Sequence, residues 1–252
     1  MRFAVIADVH GNYLALEAVL ADIRAQGIDD IVNLGDMASG PLDARRTMDI
    51  FMTLDAVHVR GNHDRYLIEQ LPEKMGSWDR TAYQQLDAAH LDWLRRVPNT
   101  AIYRDQVFCC HATPAHDETY WLDAVSPDGT VGIASLASIE QAAAGISQSL
   151  ILCAHTHIPR AVRLGDGRLV VNPGSAGCPG YRDTHPYPHV VQAGMPDPSY
   201  AVLELVAGRW QVSFRLVPYD HDAMAALARH NGRPELAGPL ATGWVIQGAS
   251  TD

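Results

Sequence analysis

The chain has 252 residues, 47% of them hydrophobic, which is enough for one large domain or two small ones with a substantial core, without disulfides or a structural metal. The formal net charge of −10 argues against nucleic-acid backbones and anionic membranes as general partners, although bound cations can still bring a phosphate substrate to an acidic protein. The sequence has no run of eighteen apolar residues and no basic stretch before a long apolar run, so it predicts neither a membrane span nor a signal peptide.

The first 64 residues alternate between strand and helix patterns. Apolar residues from Phe3 to Ala7 predict a buried strand, and the helical spacing that follows ends at Gly27. The segments "DDIVNLGD" and "AVHVRGNHD" repeat the strand pattern on either side of a helix predicted over "TMDIFMTL". This alternation favours parallel strands joined by right-handed crossovers.

The middle of the chain is more helical. One amphipathic helix is predicted from Tyr83 to Arg96, and the segment "QVFCC" predicts a strand. Residues 113–129 contain a Pro-Asp-Gly turn and predict an irregular stretch. A helix from Ser135 to about Gly145 is expected to precede the strand of "ILCAHTHIP".

The last third of the chain carries two hairpin patterns, one in "AVRLGDGRLVVNPGS" and one in "SYAVLELVAGRWQVSFRLVPY". Between them, residues 174–198 hold too many glycines and prolines for regular structure to be expected. A short helix from Asp220 to His230 is predicted, followed by a tail that we expect to be loose from about residue 231. We treat residues 1–252 as a single domain.

Polar residues of one chemical kind follow almost every predicted strand, at the end where open α/β sheets bind ligands. In chain order they are Asp8 and His10, then Asp36, then Asn62, His63 and Asp64, then His111, and last His155 and His157. Side chains two residues apart leave a strand on the same face, so the spacing pairs Asp8 with His10 and His155 with His157. Two imidazoles on one face can hold a common metal ion.

These residues are numerous enough for two metal ions. Mixed carboxylate and imidazole ligands suit Zn, Mn or Fe better than Ca or Mg. A carboxylate can bridge two ions roughly 3.5–4 Å apart, an arrangement used in phosphoryl chemistry. Asp36, alone on its loop after Gly35, is the natural bridging residue, and Gly35 allows the backbone to approach closely.

Five motifs in order resemble those of the calcineurin-like metallophosphoesterases: "ADVHGN", "LGDMASGP", "RGNHD", the His of "CCHATP", and "AHTHIP". The resemblance covers about residues 3 to 215, and "VNPGSAG" adds a segment seen in small bacterial members. It implies an α/β fold, a four-layer α-β-β-α sandwich of two mixed sheets flanked by helices. It also implies a hydrolase that cleaves a phosphate monoester or diester with the aid of two divalent metal ions.

The resemblance assigns roles residue by residue. It implies a first metal held by Asp8, His10, Asp36 and His157, and a second metal held by Asp36, Asn62, His111 and His155. It further implies that His63 is the general acid, that Asp64 orients His63, and that Arg60 contacts the phosphate. We expect Tyr181 and Arg182 to be substrate-binding residues, because a guanidinium binds phosphate oxygens in pairs. The chain departs from the family pattern at Ala154, where the family has Gly, and in the long stretch from Tyr181 to Ala193.

Each motif also has a structural interpretation. Asp8 and Asp36 can cap the helices that follow them, Asn62 can be a turn residue, and His111 can be a core histidine. Tyr120 and Trp121 can stack on a flat substrate group or pack in the interior. The alternative function is therefore a non-catalytic metal-binding or scaffold protein that keeps the fold.

The substrate stays open between a small nucleotide or other small molecule and a phosphorylated protein, and nucleic acid is disfavoured because no basic stripe is present. The four cysteines have neither a zinc-finger nor a secreted disulfide spacing. They predict buried, reduced thiols, and with them a cytoplasmic location. The sequence does not predict an oligomeric state.

Overall fold

Two five-stranded sheets form the centre of the protein. The structure is a computed structural model, and it describes residues 1–245. The first sheet contains β1 (Arg2–Ile6), β2 (Ile31–Asn33), β3 (Val57–His58), β13 (Ser199–Val206) and β14 (Arg209–Leu216). The second contains β4 (Thr100–Tyr103), β5 (Val107–Cys110), β8 (Leu150–Leu152), β9 (Arg160–Arg163) and β10 (Leu169–Asn172).

Two short hairpins, eight α-helices and a single 3-10 turn at Pro72–Lys74 complete the described chain. The hairpins pair β6 (Asp123–Val125) with β7 (Val131–Ile133), and β11 (Gly180–Asp183) with β12 (His189–Gln192). The helices are α1 (Tyr13–Ala25), α2 (Ala44–Thr53), α3 (Asn62–Glu69), α4 (Ser77–Gln85), α5 (Ala88–Arg96), α6 (Leu136–Ala142), α7 (His221–His230) and α8 (Pro234–Thr242). None of the helices within residues 1–245 has the length and apolar character needed to span a bilayer.

Both sheets are mixed. In the first, β1, β2 and β3 run parallel, as the strand–helix alternation predicts, while β13 pairs antiparallel with β1. In the second, β5, β8 and β10 run parallel and the edge strands β4 and β9 run antiparallel to their neighbours. The two predicted hairpins are confirmed as β9–β10 and β13–β14.

Alternate residues of the central strands serve two different cores. Phe3 and Val5 of β1 face the second sheet, where they pack with residues such as Leu150 and Leu152 of β8. Ala4 and Ile6 face the other way, onto the helices that cover the first sheet. Strands buried on both faces read as continuous apolar runs. Helix α6 covers the outer face of the second sheet, so the predicted four-layer α-β-β-α sandwich is confirmed.

Four predictions about local structure were wrong. The helix predicted from Tyr83 to Arg96 is two helices, because Asp87 caps α5 by accepting from the N–H groups of Ala89 and His90. The breaker-rich stretch 174–198 forms the β11–β12 hairpin, in which glycines and prolines stand mostly at the ends and tip. The stretch expected to be irregular, 113–129, contains β6, whose backbone groups form hydrogen bonds with those of β7.

The tail was also expected to be loose from about residue 231, yet α8 lies there, begun by a proline at its first position. Its apolar residues, with those of α7, form a separate buried cluster, so tertiary packing stabilises it. The end of the predicted tail, residues 246–252, lies outside the described residues.

Candidate metal centre

The loops that follow the central strands hold the predicted ligands in an unusual backbone conformation. Five of these residues have positive φ: Asp8 at 56°, His10 at 51°, Asp36 at 53°, His155 at 71° and His157 at 58°. The left-handed region costs a non-glycine residue roughly 1–2 kcal/mol. Such strain collects at functional sites, where the surrounding structure enforces it. The ligands therefore leave the strands through tight turns rather than from the strand faces.

The first group of ligands comprises Asp8, His10 and His157, whose donor atoms lie within 4.8 Å of one another. Each histidine gives its Nδ1 hydrogen to a backbone carbonyl, His10 to Ser39 at 2.7 Å and His157 to Cys178 at 2.8 Å. These hydrogen bonds fix the tautomer, so both Nε2 atoms present lone pairs to the group.

The converging lone pairs indicate that this group fits a cation. The Nε2 atoms of His10 and His157 lie 3.2 Å apart with no hydrogen to share between them. Oδ1 of Asp8 lies 3.7 Å from Nε2 of His157 and is a buried oxygen without a hydrogen-bond partner. Ligand atoms about 2.0–2.2 Å from a shared metal stand roughly 3–3.4 Å from one another, which matches the separation of the two nitrogens.

The second group comprises Asp36, His111 and His155, also within 4.8 Å. Nδ1 of His111 donates to the carbonyl of Leu34 at 2.8 Å, so its Nε2 faces the group. That Nε2 lies 3.1 Å from Oδ1 of Asn62 and 3.3 Å from Oδ2 of Asp36. In the metal-free protein the raised pKa of His111 keeps a hydrogen on Nε2, and release of that proton would leave three acceptors converging. His155 donates from Nε2 to the carbonyl of Glu118 at 3.1 Å and thus presents Nδ1.

His155 and His157 therefore belong to different groups, although their spacing alone paired them. The turn between them carries both residues through positive φ, which separates the two rings. The division of ligands implied by the family resemblance is the one that the structure brings together: Asp8, His10 and His157 on one side, and His111, His155 and Asn62 on the other.

Asp36 stands between the two groups. Its Oδ2 lies 3.8 Å from Nε2 of His10 and 3.3 Å from Nε2 of His111, so one carboxylate faces a histidine of each group. Gly35 has φ of 99°, and a Cβ there would collide with the backbone of Gly61. The predicted close approach at Gly35 is confirmed, and it brings Asp36 against the loop that begins α3.

Burial without counter-charges shifts the pKa values of the ligands. Burial raises the pKa of Asp8 to about 8 and lowers that of His10 to about 4. For His111, burial lowers the pKa, but the charge of Asp36 and the hydrogen bond to that carboxylate prevail and raise the pKa to about 10. Two cations would relieve the repulsion among these carboxylates, which supports the fit of the site to metal ions.

His63 stands beside the ligands at the first turn of α3 and is held by an unpredicted residue. Its Nδ1 lies 2.7 Å from Oδ1 of Asp79 on α4, and Ser39 Oγ donates to the same oxygen at 2.5 Å. Burial alone lowers the pKa of His63, but the charge of Asp36 and the hydrogen bond to Asp79 outweigh it and raise the pKa to about 9. Asp79 is itself buried at 5% exposure, so this pair is shielded from water.

The role expected of Asp64 does not hold. Both of its carboxylate oxygens accept backbone N–H groups: Oδ1 accepts from Met37, and Oδ2 from Asp36 and Gly61. Asp64 therefore fastens the loop of Asp36 to the start of α3, and Asp79 occupies the place beside His63.

Arg60 also departs from its expected position. Its guanidinium donates twice to Oδ1 of Asn99, at 3.1 and 2.7 Å, and lies 3.8 Å from Glu69, away from the residues that line the cavity over the ligands. By contrast, Tyr181 and Arg182 line that cavity, as expected. Ala154, where the family has Gly, packs its methyl in the core between the sheets and removes no ligand.

The cavity has a volume of about 830 Å³ and opens above both groups of ligands. Its far side is built by the β6–β7 and β11–β12 hairpins, which together with Tyr120 just before β6 we call the hairpin wall. The lining of the whole cavity includes four aromatic side chains, Tyr66, Trp78, Tyr120 and Tyr181. Each of these rings contacts a site histidine, with centroids 4.7 to 6.5 Å apart.

Sequence reasoning missed Asp79, Trp78 and Ser39. Asp79 and Trp78 lie on α4, in a polar segment without any strand-end pattern, and only the packing of α4 against α3 brings them to His63. Ser39 lies in the motif "LGDMASGP", so the sequence places it near the site. Serine is common in loops, however, and its residue type gives no indication of a role. The four cysteines are free and buried, as the sequence predicts.

Comparison with known proteins agrees with these motifs. The model of the calcineurin-like phosphoesterase superfamily domain matches residues 1–193. A crystal structure of a metallophosphoesterase from Sphaerobacter thermophilus is 28% identical, with a TM-score of 0.73 over 97% of this chain and 99% of that chain. An uncharacterized protein of Methanocaldococcus jannaschii is 28% identical over 198 residues, 70% of this chain and 76% of the relative.

Proposed function

The chain belongs to the calcineurin-like phosphoesterase superfamily, and on that premise we propose that it hydrolyses small-molecule phosphoesters with two divalent cations bound at the candidate metal centre. The observation that carries the proposal is the position of Asp36, which belongs to the second group of converging ligand atoms and also faces His10 of the first. Carboxylate, imidazole and amide donors of this kind suit Mn, Fe or Zn. Cations held there supply Lewis acidity, which offsets the phosphate charge and activates water.

His63 is proposed as the general acid. Its Nδ1 donates to Asp79, which leaves Nε2 to carry a second proton in the charged imidazole. In the metal-free site the charge of Asp36 and the hydrogen bond to Asp79 raise the pKa of His63 to about 9. With Asp36 committed to cations, the bond to Asp79 is what favours the proton that His63 passes to the departing alkoxide. Asp79 fixes the ring orientation, and Ser39 in turn fixes Asp79.

The cavity supports a small-molecule substrate over a phosphorylated protein. Its volume of about 830 Å³ lies within the range of small-ligand sites, roughly 300–1,000 Å³. The hairpin wall encloses the side of the metal centre formed by His155 and His157, through Tyr120 and Tyr181. Arg182, on that wall, is the proposed phosphate-binding cation in place of Arg60.

The test is metal-dependent hydrolysis. Protein stripped with a chelator is reloaded with Mn²⁺, Fe²⁺ or Zn²⁺ and assayed on p-nitrophenyl phosphate and on its bis ester. Hydrolysis that requires added metal, with two ions bound per chain by elemental analysis, is the expected result. Two bound ions without hydrolysis of either ester would favour the scaffold alternative.

A His63→Ala variant tests the assigned mechanism. We expect turnover to fall by about 10²–10⁴-fold, the usual contribution of general acid–base catalysis, while both metals stay bound. His116→Ala is the matched control, because His116 is an exposed histidine outside the cavity lining. Loss of metal from the His63 variant would show that His63 is a ligand or a folding determinant instead.

A further inference from the structure

The hairpin wall carries a chain of hydrogen bonds that ends at the cavity. The hydroxyl oxygens of Tyr181 and Tyr120 lie 2.5 Å apart, and the Tyr120 hydroxyl lies 2.9 Å from Nε2 of His189. Nδ1 of His189 lies 2.7 Å from the carbonyl oxygen of Tyr187. Both Tyr181 and Tyr120 line the cavity, whereas His189 is 6% exposed and lies behind them.

The donor in each of these hydrogen bonds follows from the buried end of the series, at His189. A carbonyl oxygen can only accept, so Nδ1 of His189 donates to Tyr187 and the neutral imidazole has a bare Nε2. That nitrogen accepts the hydrogen of the Tyr120 hydroxyl. With its own hydrogen committed, the Tyr120 oxygen can only accept the hydrogen of Tyr181.

The last member of the chain therefore has no hydrogen left to offer. Tyr181 gives its hydroxyl hydrogen to Tyr120, its oxygen keeps a lone pair, and the residue lines the cavity. A phosphate oxygen, which only accepts, gains nothing from such a group. An O–H or N–H on the substrate gains a hydrogen bond.

The position of Tyr181 says which part of a substrate it meets. Its ring packs against the ligand His157 with centroids 4.7 Å apart, and the ring of Tyr120 packs against the ligand His155 at 5.3 Å. Each ring thus adjoins a candidate ligand of one group, so the two tyrosines border the metal centre. A substrate donor that reaches them belongs to the part of the alcohol adjoining the phosphate.

We propose that Tyr181 is a specificity-determining residue that selects phosphoesters whose alcohol part carries a hydroxyl or amino donor close to the ester oxygen. Polyol and sugar phosphates have such a donor. Simple alkyl phosphates lack it and are expected to be poorer substrates. This inference rests on the proposed phosphoesterase function and adds to it the chemistry of the leaving group.

The experiment compares two esters of matched shape in the Mn²⁺-loaded protein. Glycerol 2-phosphate and isopropyl phosphate are both esters of a secondary alcohol with two flanking carbons, and only the former has hydroxyls on those carbons. The measured quantity is the ratio of their kcat/KM values in the natural protein and in Tyr181→Phe. We expect the variant to lower this ratio by about 2- to 10-fold, the effect of one neutral hydrogen bond, through the glycerol ester alone.

Two further variants sharpen the test. Tyr187→Phe is the matched control, because Tyr187 contributes only its backbone carbonyl to the chain of hydrogen bonds. The ratio of kcat/KM values in this variant is expected to equal that of the natural protein. Tyr120→Phe removes the acceptor for the Tyr181 hydrogen, so Tyr181 can donate as well as accept. We expect that variant to discriminate less between the esters while still hydrolysing the glycerol ester.

The possible failures are distinguishable. Equal losses on both esters in Tyr181→Phe, or an unchanged ratio, would overturn the assigned role of Tyr181 and leave phosphoester hydrolysis standing. Hydrolysis of neither ester by the natural protein, nor of p-nitrophenyl phosphate, would overturn the proposed function and this inference with it.

Discussion

The metal loops and the hairpin wall face each other across one cavity, and they are built in opposite ways. We define the metal loops as residues 7–12, 35–39, 60–63, 111–112 and 154–158. Their candidate ligands are buried except His155, which is half-buried, with Asp8 at 0% and Asp36 at 1% exposure, and they follow on core strands. The hairpin wall consists of three- and four-residue strands with exposed parts, such as Tyr187 at 41% and Ile133 at 60%.

This difference suggests a division of roles, in which the metal loops carry out the reaction and the hairpin wall determines which ester is preferred. The metal loops hold five non-glycine residues at positive φ, a strain that only a well-packed core can sustain. The hairpin wall meets the metal centre through the rings of Tyr120 and Tyr181 and through Asp123 of β6, which accepts the hydroxyl hydrogen of Thr156 at 2.9 Å. Changes in the metal loops should therefore abolish the reaction, whereas changes in the wall should alter which ester is preferred.

The largest effect is expected for Asp36→Asn, which keeps the shape of the bridging side chain and removes its charge. The amide oxygen can still accept from the N–H of His63, so the loop should stay folded. We expect loss of at least one metal ion and a fall in kcat/KM well beyond the roughly 10–100-fold that loss of an outer partner brings. Elemental analysis and steady-state kinetics measure both, with Asp55→Asn as an exposed control. Full metal occupancy would remove Asp36 from the bridging role.

Next in size is Asp79→Asn, which tests whether the metal loops depend on a residue outside them. An amide oxygen can accept from His63 but no longer stabilises its charged form. We expect kcat on an alkyl phosphate to fall by about 10–100-fold, with KM and metal content unchanged. The loss should be smaller for p-nitrophenyl phosphate, whose leaving group needs little protonation.

Asp87→Asn is the matched control for Asp79, because Asp87 makes the same kind of contact with His90, at 2.7 Å, outside the cavity lining. Equal losses on the two esters would mean that Asp79 acts on the fold and not on proton transfer.

The origin of Asp79 shows the limit of what the sequence could predict. The residues of both candidate ligand groups were predictable, since their residue types at strand ends, in ordered motifs, carry information by themselves. Asp79 has no such signal, because its function arises only where α4 packs on α3. The hairpin wall was missed for a related reason: its glycines and prolines are typical of loops, and pairing between β11 and β12 overrides that preference.

A third expected effect concerns the protons that side chains of the metal loops hold before metal binds. With pKa values of about 8 and about 10, Asp8 and His111 hold protons at neutral pH in the metal-free protein. Both must release them to become ligands, so apparent metal affinity should rise with pH, by about tenfold per pH unit for each proton released. His10 and His155, with pKa values of about 4, are already neutral and should release none.

Calorimetric titration with Mn²⁺ in buffers of different ionisation enthalpy counts these protons. One to two protons released per chain at pH 7 is the expected result. Metal binding that is independent of pH between 6 and 8 would contradict the inferred protonation of Asp8 and His111.

The smallest effect is expected for Gly129→Ala, which perturbs the hairpin wall alone. Gly129 has φ of 82°, and a Cβ there would stand 2.6 Å from the carbonyl oxygen of Pro188 in the other hairpin. Gly145→Ala is the matched control, because Gly145 also has φ of 82° but has open space at the Cβ position. Both variants should lose about 1–2 kcal/mol of unfolding free energy from the backbone conformation, as measured by urea denaturation.

Only Gly129→Ala should displace the two hairpins from each other and change the ratio of kcat/KM values for glycerol 2-phosphate and isopropyl phosphate, by a few-fold, with two metals still bound. The same change of ratio in Gly145→Ala would trace it to general destabilisation. A loss of metal in Gly129→Ala would show instead that the hairpin wall supports the metal loops, and that the separation between chemistry and selectivity does not hold. This variant, although its effect is the smallest, decides whether the two regions act separately. Only a change confined to the hairpin wall can show that the metal loops bind their ions independently of the wall.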